Sequence, residues 1–157
     1  MAAVTEPRVF AGPDELAAAA GERLGPGEGV VVSQDRIRAF ADATGDHQWI
    51  HLDADRAAAG PFGGTVAHGY LTLSLLPVLV RGLYRVDGAA LVINYGLDRV
   101  RFPAPVRAGS TVRATAVLGA ATPVAGGWQL VATVSVTADG ATKPCCVAET
   151  VSRYLAG

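Results

Sequence analysis

The chain has 157 residues, 50% of them apolar, only 17% charged, and a formal net charge of -1. That length supports one ordinary domain with a real core, spanning 1–157, and leaves no room for a second. The charge offers neither a basic footprint for nucleic acid nor a cationic attraction to membrane surfaces, so a small molecule or another protein is the expected partner.

Residues 1–8 are the candidate loose end. The stretch from Met1 to Ala11 carries Glu6 and Arg8 in place of a basic start and an apolar run, so no signal peptide is expected and the reading is cytoplasmic. Gly12-Pro13-Asp14-Glu15 opens a helix expected to end near Gly21, with Pro13 in the first turn and acidic groups at the positive end of the dipole. Val30 to Val32 reads as a short strand. Ser33 is a plausible N-cap for a helix placing Ile37, Phe40 and Ala41 on one face, and Gly45 ends it.

A short helical piece is expected around Asp55 to Ala59, followed by the breaker run Gly60-Pro61-Phe62-Gly63-Gly64. From Gly69 to Tyr84 the pattern is apolar on nearly every side, which predicts a long helix buried all round. Its longest apolar run, Leu71 to Val80, is far below the roughly 20 residues that span a bilayer. The second half alternates like strands over Ala89 to Phe102, Thr111 to Leu118, Trp128 to Thr137 and Thr142 to Tyr154, with Gly126-Gly127 and Asp139-Gly140 as hairpin connections. A buried helix and an antiparallel meander imply α+β architecture, the sheet wrapped around a long central helix.

Cys145 and Cys146 are adjacent, which is neither a disulfide framework nor a spaced metal motif; as neighbouring strand residues they should face opposite ways, and they argue for a reducing compartment. His47 and His51 have the spacing of a shared helix face, with Asp46, Asp53 or His68 available as a further metal ligand. The intervening Trp49 and Ile50 do not suit a metal-binding helix, and no metal is expected.

Asp46 and His51 flank a helix-to-loop junction opened by Gly45, where irregular backbone can aim a carboxylate and an imidazole at one water. On local sequence alone a structural role for both, Asp46 capping a turn and His51 in the core, is the more economical reading. His68-Gly69 opens the long helix, whose free N–H groups could stabilise an anionic oxygen.

Gly45-Asp46 with His51, and Gly63 with Val66-Ala67-His68-Gly69, resemble the MaoC-like (R)-specific enoyl-thioester hydratase family, in particular its nodulation-protein-N-like branch. The segments Asn94 to Val106 and Lys143 to Glu149 extend the likeness over most of the chain. The resemblance implies a hot-dog fold, a catalytic dyad of Asp46 and His51, and the Gly69 amide as the donor to the thioester oxygen. It implies reversible hydration of a trans-2-enoyl thioester, on coenzyme A or a carrier protein, to the (3R)-3-hydroxyacyl thioester. No organic cofactor is implied, coenzyme A entering only as part of the substrate, and homodimers are the expected assembly. Gln48-Trp49 stands where the family commonly has Asn-Pro, which bears on acyl-chain preference.

Around the dyad, Trp49, Ile50, Phe62, Tyr70 and Leu73 are candidates for the acyl tunnel, with Gly63, His68, Ser74 and Asn94 as further substrate contacts. Arg101 and Arg107 are candidates for the phosphates of coenzyme A or a carrier arm. Two rival functions remain: a hot-dog thioesterase, and a non-catalytic acyl-thioester-binding or partner subunit of a multienzyme assembly.

Overall fold

In the computed structural model, residues 4–156 are described. They form, in order, β1 (Arg8–Phe10), α1 (Pro13–Ala18), β2 (Arg23–Leu24), β3 (Val30–Val32), α2 (Gln34–Thr44), α3 (Trp49–Leu52), α4 (Ala54–Ala58), α5 (Gly69–Ser74), α6 (Leu76–Arg81), β4 (Tyr84–Val86), β5 (Ala89–Arg101), β6 (Ser110–Val124), β7 (Gly127–Ala138) and β8 (Cys146–Ala156). Residues 1–3 of the expected loose end lie outside the described residues, whereas Thr5 already donates its N–H to the Pro26 carbonyl at 3.0 Å and Arg8 sits in β1.

The main sheet runs β2-β6-β7-β8-β5, with β3 also paired to β6, and every pairing is antiparallel. A hairpin joins β6 to β7 as expected, but its turn is Ala125-Gly126, with Gly126 at φ 81°, and Gly127 already pairs with Val124 as the first residue of β7. Asp139-Gly140 does not make a tight hairpin: Arg113 holds Asp139 through an ion pair at 2.9 Å, and Pro144 delays the start of β8 to Cys146. Register shifts at three places along β5 and β8, and one between β6 and β7, mark bulges that bend the strands and curl the sheet.

The concave face presents Val112, Ala114, Ala116 and Leu118 from β6 and Leu130, Ala132, Val134 and Val136 from β7, all buried, at the two-residue period of a half-covered strand. Against them pack Leu71, Leu75, Leu76, Leu79 and Leu83. The central helix is not continuous. Pro77 has no N–H to give the Leu73 carbonyl and its ring would crowd that group, so the helix breaks into α5 and α6, joined through Leu75 in right-handed helical conformation. Nor is it buried all round: Tyr70 is 71% exposed and Val78 46%. Hydrophobicity alone does not say whether an apolar face is covered by its own chain or left open.

Four further elements, β1, β2, α3 and β4, escape the sequence pattern. β1 pairs in parallel with β4 as a separate two-stranded sheet, and α3 forms just after Gln48. Where β4 meets β8, the buried hydroxyls of Tyr84 and Tyr154 bond each other at 2.7 Å, which satisfies two polar groups that would otherwise be costly inside the core. Among the described residues no helix is long and apolar enough to cross a membrane.

Candidate active site

α2 begins as its sequence demands, the Ser33 hydroxyl accepting the Arg36 N–H at 3.2 Å, and ends at Gly45 in the left-handed conformation, φ 77°. That turn releases the chain so that Asp46 stands at the surface, its side chain 54% exposed, while the one-turn helix α3 carries His51 back into the interior, 6% exposed. The Asp46 carboxylate accepts the Gln48 N–H at 3.4 Å, a local turn of the kind expected of an aspartate after a helix.

His51 is held at one ring nitrogen. Its Nδ1 lies 2.6 Å from the Val66 carbonyl oxygen. A carbonyl only accepts, so Nδ1 carries the hydrogen and Nε2 keeps its lone pair. Burial pushes the imidazole below its ordinary value; the Val66 carbonyl opposes this, and the neighbouring His68 ring adds to the depression. The backbone of His51 is fixed from α2, because Gln34 donates to its carbonyl at 2.8 Å and accepts the Thr65 hydroxyl at 2.6 Å. Neither Gln34 nor Thr65 is legible as a site residue in the sequence, since both act on main chain far away along the chain.

His68, 3% exposed, donates Nε2–H to the main-chain oxygen of Asp46 at 2.9 Å and stacks on His51 with ring centroids 3.7 Å apart. A carboxylate oxygen of Asp46 and one nitrogen of each histidine lie within 4.8 Å of one another. A metal ion would have to compete with the Asp46 carbonyl for Nε2 of His68 and with the Val66 carbonyl for Nδ1 of His51. A water accepted between Asp46 and His51 fits better, since two hydrogen bonds of about 2.8 Å span any such separation. His47, the other half of the proposed histidine pair, turns outward to Asp42 at 2.8 Å, and that bond holds its imidazole above the ordinary value.

A cavity of about 400 Å³ adjoins His51, lined by Ile50, Phe62, Gly69, Thr72, Phe102 and Cys145 among others. Gly69 is the first residue of α5, and a Cβ there would stand 2.9 Å from the Phe102 ring, so glycine is what lets that ring approach the backbone so closely. A larger cavity of about 720 Å³ lies one helical turn on, between α5–α6 and the curled sheet, lined by Leu73, Ser74, Leu76, Asn94, Leu97 and Tyr154 among others. It exists because Ala116 and Ala132 are too small to fill the space beneath the helices. His51 and Gly69 line the smaller cavity and not the larger.

Of the remaining candidates, Ile50 and Phe62 line the dyad cavity, and Leu73, Ser74 and Asn94 line the larger one. Trp49 lines neither; the Arg56 guanidinium covers its ring at 4.3 Å and Gly60 packs against its edge. Tyr70 points to solvent and meets Phe102 edge to face. Gly63 lies against the Arg107 guanidinium, which is spent on the Phe62 carbonyl, and Arg101 donates to the carbonyl of Val100 at 2.7 Å. Cys145 and Cys146 are both buried; Cys145 precedes the strand proper, and its thiol bonds the Val136 carbonyl. Burial raises both thiols, Cys146 to about 11.

A family model described as "MaoC like domain" matches residues 15–140. The chain is 54% identical over 151 residues to 3-hydroxyacyl-thioester dehydratase Z of Mycobacterium tuberculosis, covering 95% of this chain and 99% of that one. It is 48% identical over 121 residues to nodulation protein N of Rhizobium leguminosarum, covering 76% of this chain and 74% of the relative. The solved structure of an unliganded R-hydratase from Pseudomonas aeruginosa superposes with a TM-score of 0.72 at 21% identity, over 88% of this chain and 83% of that one, a likeness of fold.

Proposed function

The chain belongs to the MaoC-like dehydratase family, and from that premise we propose that it is a hydro-lyase interconverting trans-2-enoyl and (3R)-3-hydroxyacyl thioesters. The observation that carries this reading is an exposed carboxylate beside a buried imidazole that lines a cavity and whose tautomer is set by Val66. We take residues 1–157 to work as one hot-dog domain.

In hydration, one hydrogen of the bound water is accepted by Asp46 and the other by Nε2 of His51, which leaves the oxygen lone pair free for the third carbon of the substrate. As that C–O bond forms, the π electrons move toward the thioester and its oxygen gains negative charge. The Gly69 N–H receives this charge, and a donor so placed stabilises the transition state by about 3–4 kcal/mol. The proton taken from water is then delivered to the second carbon, so water is consumed whole and nothing is oxidised or reduced. Dehydration is the same path reversed. No metal or organic cofactor takes part; coenzyme A or a carrier arm belongs to the substrate. The acyl tail runs from the dyad cavity along α5 into the larger cavity past Leu73 and Asn94.

β5 is one edge of the main sheet among the described residues, and Leu91, Val92, Tyr95 and Leu97 on it are exposed. A long apolar edge of this kind is a liability unless covered, and a second copy of the chain is the covering we assign, giving a homodimer. With two buried thiols kept as thiols, we read the protein as cytoplasmic.

Purified protein mixed with a short trans-2-enoyl-CoA tests the reaction: the conjugated absorbance should fall with the thioester intact and a 3R product. Release of free thiol would instead identify a thioesterase, and binding without turnover a non-catalytic subunit.

A further inference from the structure

Hydration as proposed uses Asp46, His51 and Gly69 and leaves the third ring of the cluster without a task. We propose that His68 is a positioning residue for this reaction: its Nε2–H bond to the Asp46 main-chain oxygen, with its stack on His51, sets the separation between the two groups that share the water. The inference rests on the function given above.

Three observations support it. Asp46 follows a helix end and is largely exposed; apart from the Gln48 turn at 3.4 Å, the bond from His68 at 2.9 Å is its anchor to a distant element, the start of α5. The same ring lies flat on His51, whose other constraint is the Val66 carbonyl, so one side chain touches both members of the dyad. Finally, Nδ1 of His68 is buried with no hydrogen-bond partner among the described residues. A bare buried acceptor costs about 1–3 kcal/mol. A side chain serving packing alone would be a hydrocarbon here, as Phe40, 5.0 Å away, already is. Because His68 also precedes Gly69, the carboxylate, the imidazole and the amide donor are referred to one rigid point. A misplacement of about 1 Å among such groups costs on the order of a hundredfold in rate.

The test compares His68→Phe, which keeps an aromatic ring and removes the donor, with His68→Gln, which keeps an N–H of similar reach and removes the ring. Expected for His68→Phe is a kcat lowered about tenfold to a hundredfold with KM nearly unchanged and a thermal midpoint no lower than that of the wild type. His68→Gln should recover much of the loss in kcat. A kcat near wild type in His68→Phe overturns the proposal, as does a loss confined to KM or one that tracks the thermal midpoint in both variants. Independently of turnover, the ring-current shift on the His51 imidazole protons should vanish in His68→Gln; unchanged resonances overturn the contact itself. A wild type that shows the shift but hydrates nothing refutes the proposed reaction and leaves the contact standing.

Discussion

Replacing Gly69 by alanine separates packing from chemistry at the amide assigned to the thioester oxygen. Its backbone is not in the left-handed region, and alanine is a good residue for the first turn of a helix, so the change carries no conformational penalty. What it meets is Phe102, with ring carbons at 2.9, 3.0 and 3.1 Å from the new methyl. Overpacking costs about 1–3 kcal/mol, and because Phe102 is 40% exposed its ring can tilt outward, which puts the cost near about 1 kcal/mol and the fall in thermal midpoint at about 2–4 °C. Phe102 also lines the dyad cavity, so the tilt moves the wall against which the substrate lies. The alanine keeps its N–H, so the effect comes from displacement of that wall, and we predict a loss in kcat approaching a hundredfold, far more than so small a stability change explains. Scanning calorimetry and steady-state hydration of an enoyl-CoA read the two effects, and adding Phe102→Leu should restore the midpoint by removing the clash. A Gly69→Ala protein with a lowered midpoint but wild-type kcat would show that the Phe102 wall beside this amide does not position the substrate.

Three other outcomes follow from the same geometry. Burial holds His51 below its ordinary value of 6.5, so as pH falls the unfolded chain takes the proton first; stability should therefore decline from about pH 6.5 downward and level off below the folded value. Urea denaturation across that window checks the sign, and kcat should persist below pH 6.5, an acid limb centred higher being contrary to it. Gln34→Ala, which strips the His51 carbonyl and the Thr65 hydroxyl of their partner, should cost about 1–3 kcal/mol in denaturant titration and lower kcat as well. Leu91→Lys on the open edge of β5 should shift a dimer toward monomer in sedimentation, and a monomeric wild type would remove the basis for the pairing.

The helix around Ile37 and Ala41 was readable because its signals are local: a serine that caps, an apolar face at helical spacing and a glycine that ends it. The alternation of β6 and β7 was readable for the same reason. The dyad stood out through its spacing, but only the resemblance to a family favoured chemistry over structure, because an aspartate at a turn and a core histidine look alike in sequence. What sequence did not carry is what depends on distant partners. His68 reaches Asp46 across 22 positions, Gln34 reaches His51 across 17, and β1 finds β4 from the other end of the fold. Pro77 lies within the apolar run, and because the apolar pattern continues on both sides of it the hydrophobicity does not show the break it makes. Trp49 and Tyr70 were assigned to the tunnel on hydrophobicity, which does not say which way a side chain turns.

The central claim is that Asp46 and His51 activate water on an enoyl thioester. Its most direct test is the hydration rate of purified wild type and Asp46→Asn on a short trans-2-enoyl-CoA, followed at the enoyl absorbance with KM and kcat separated. The account predicts a 3R product from the wild type and, from Asp46→Asn, folded protein with similar KM and a kcat lower by about a hundredfold or more. Turnover by Asp46→Asn at the wild-type rate would contradict it.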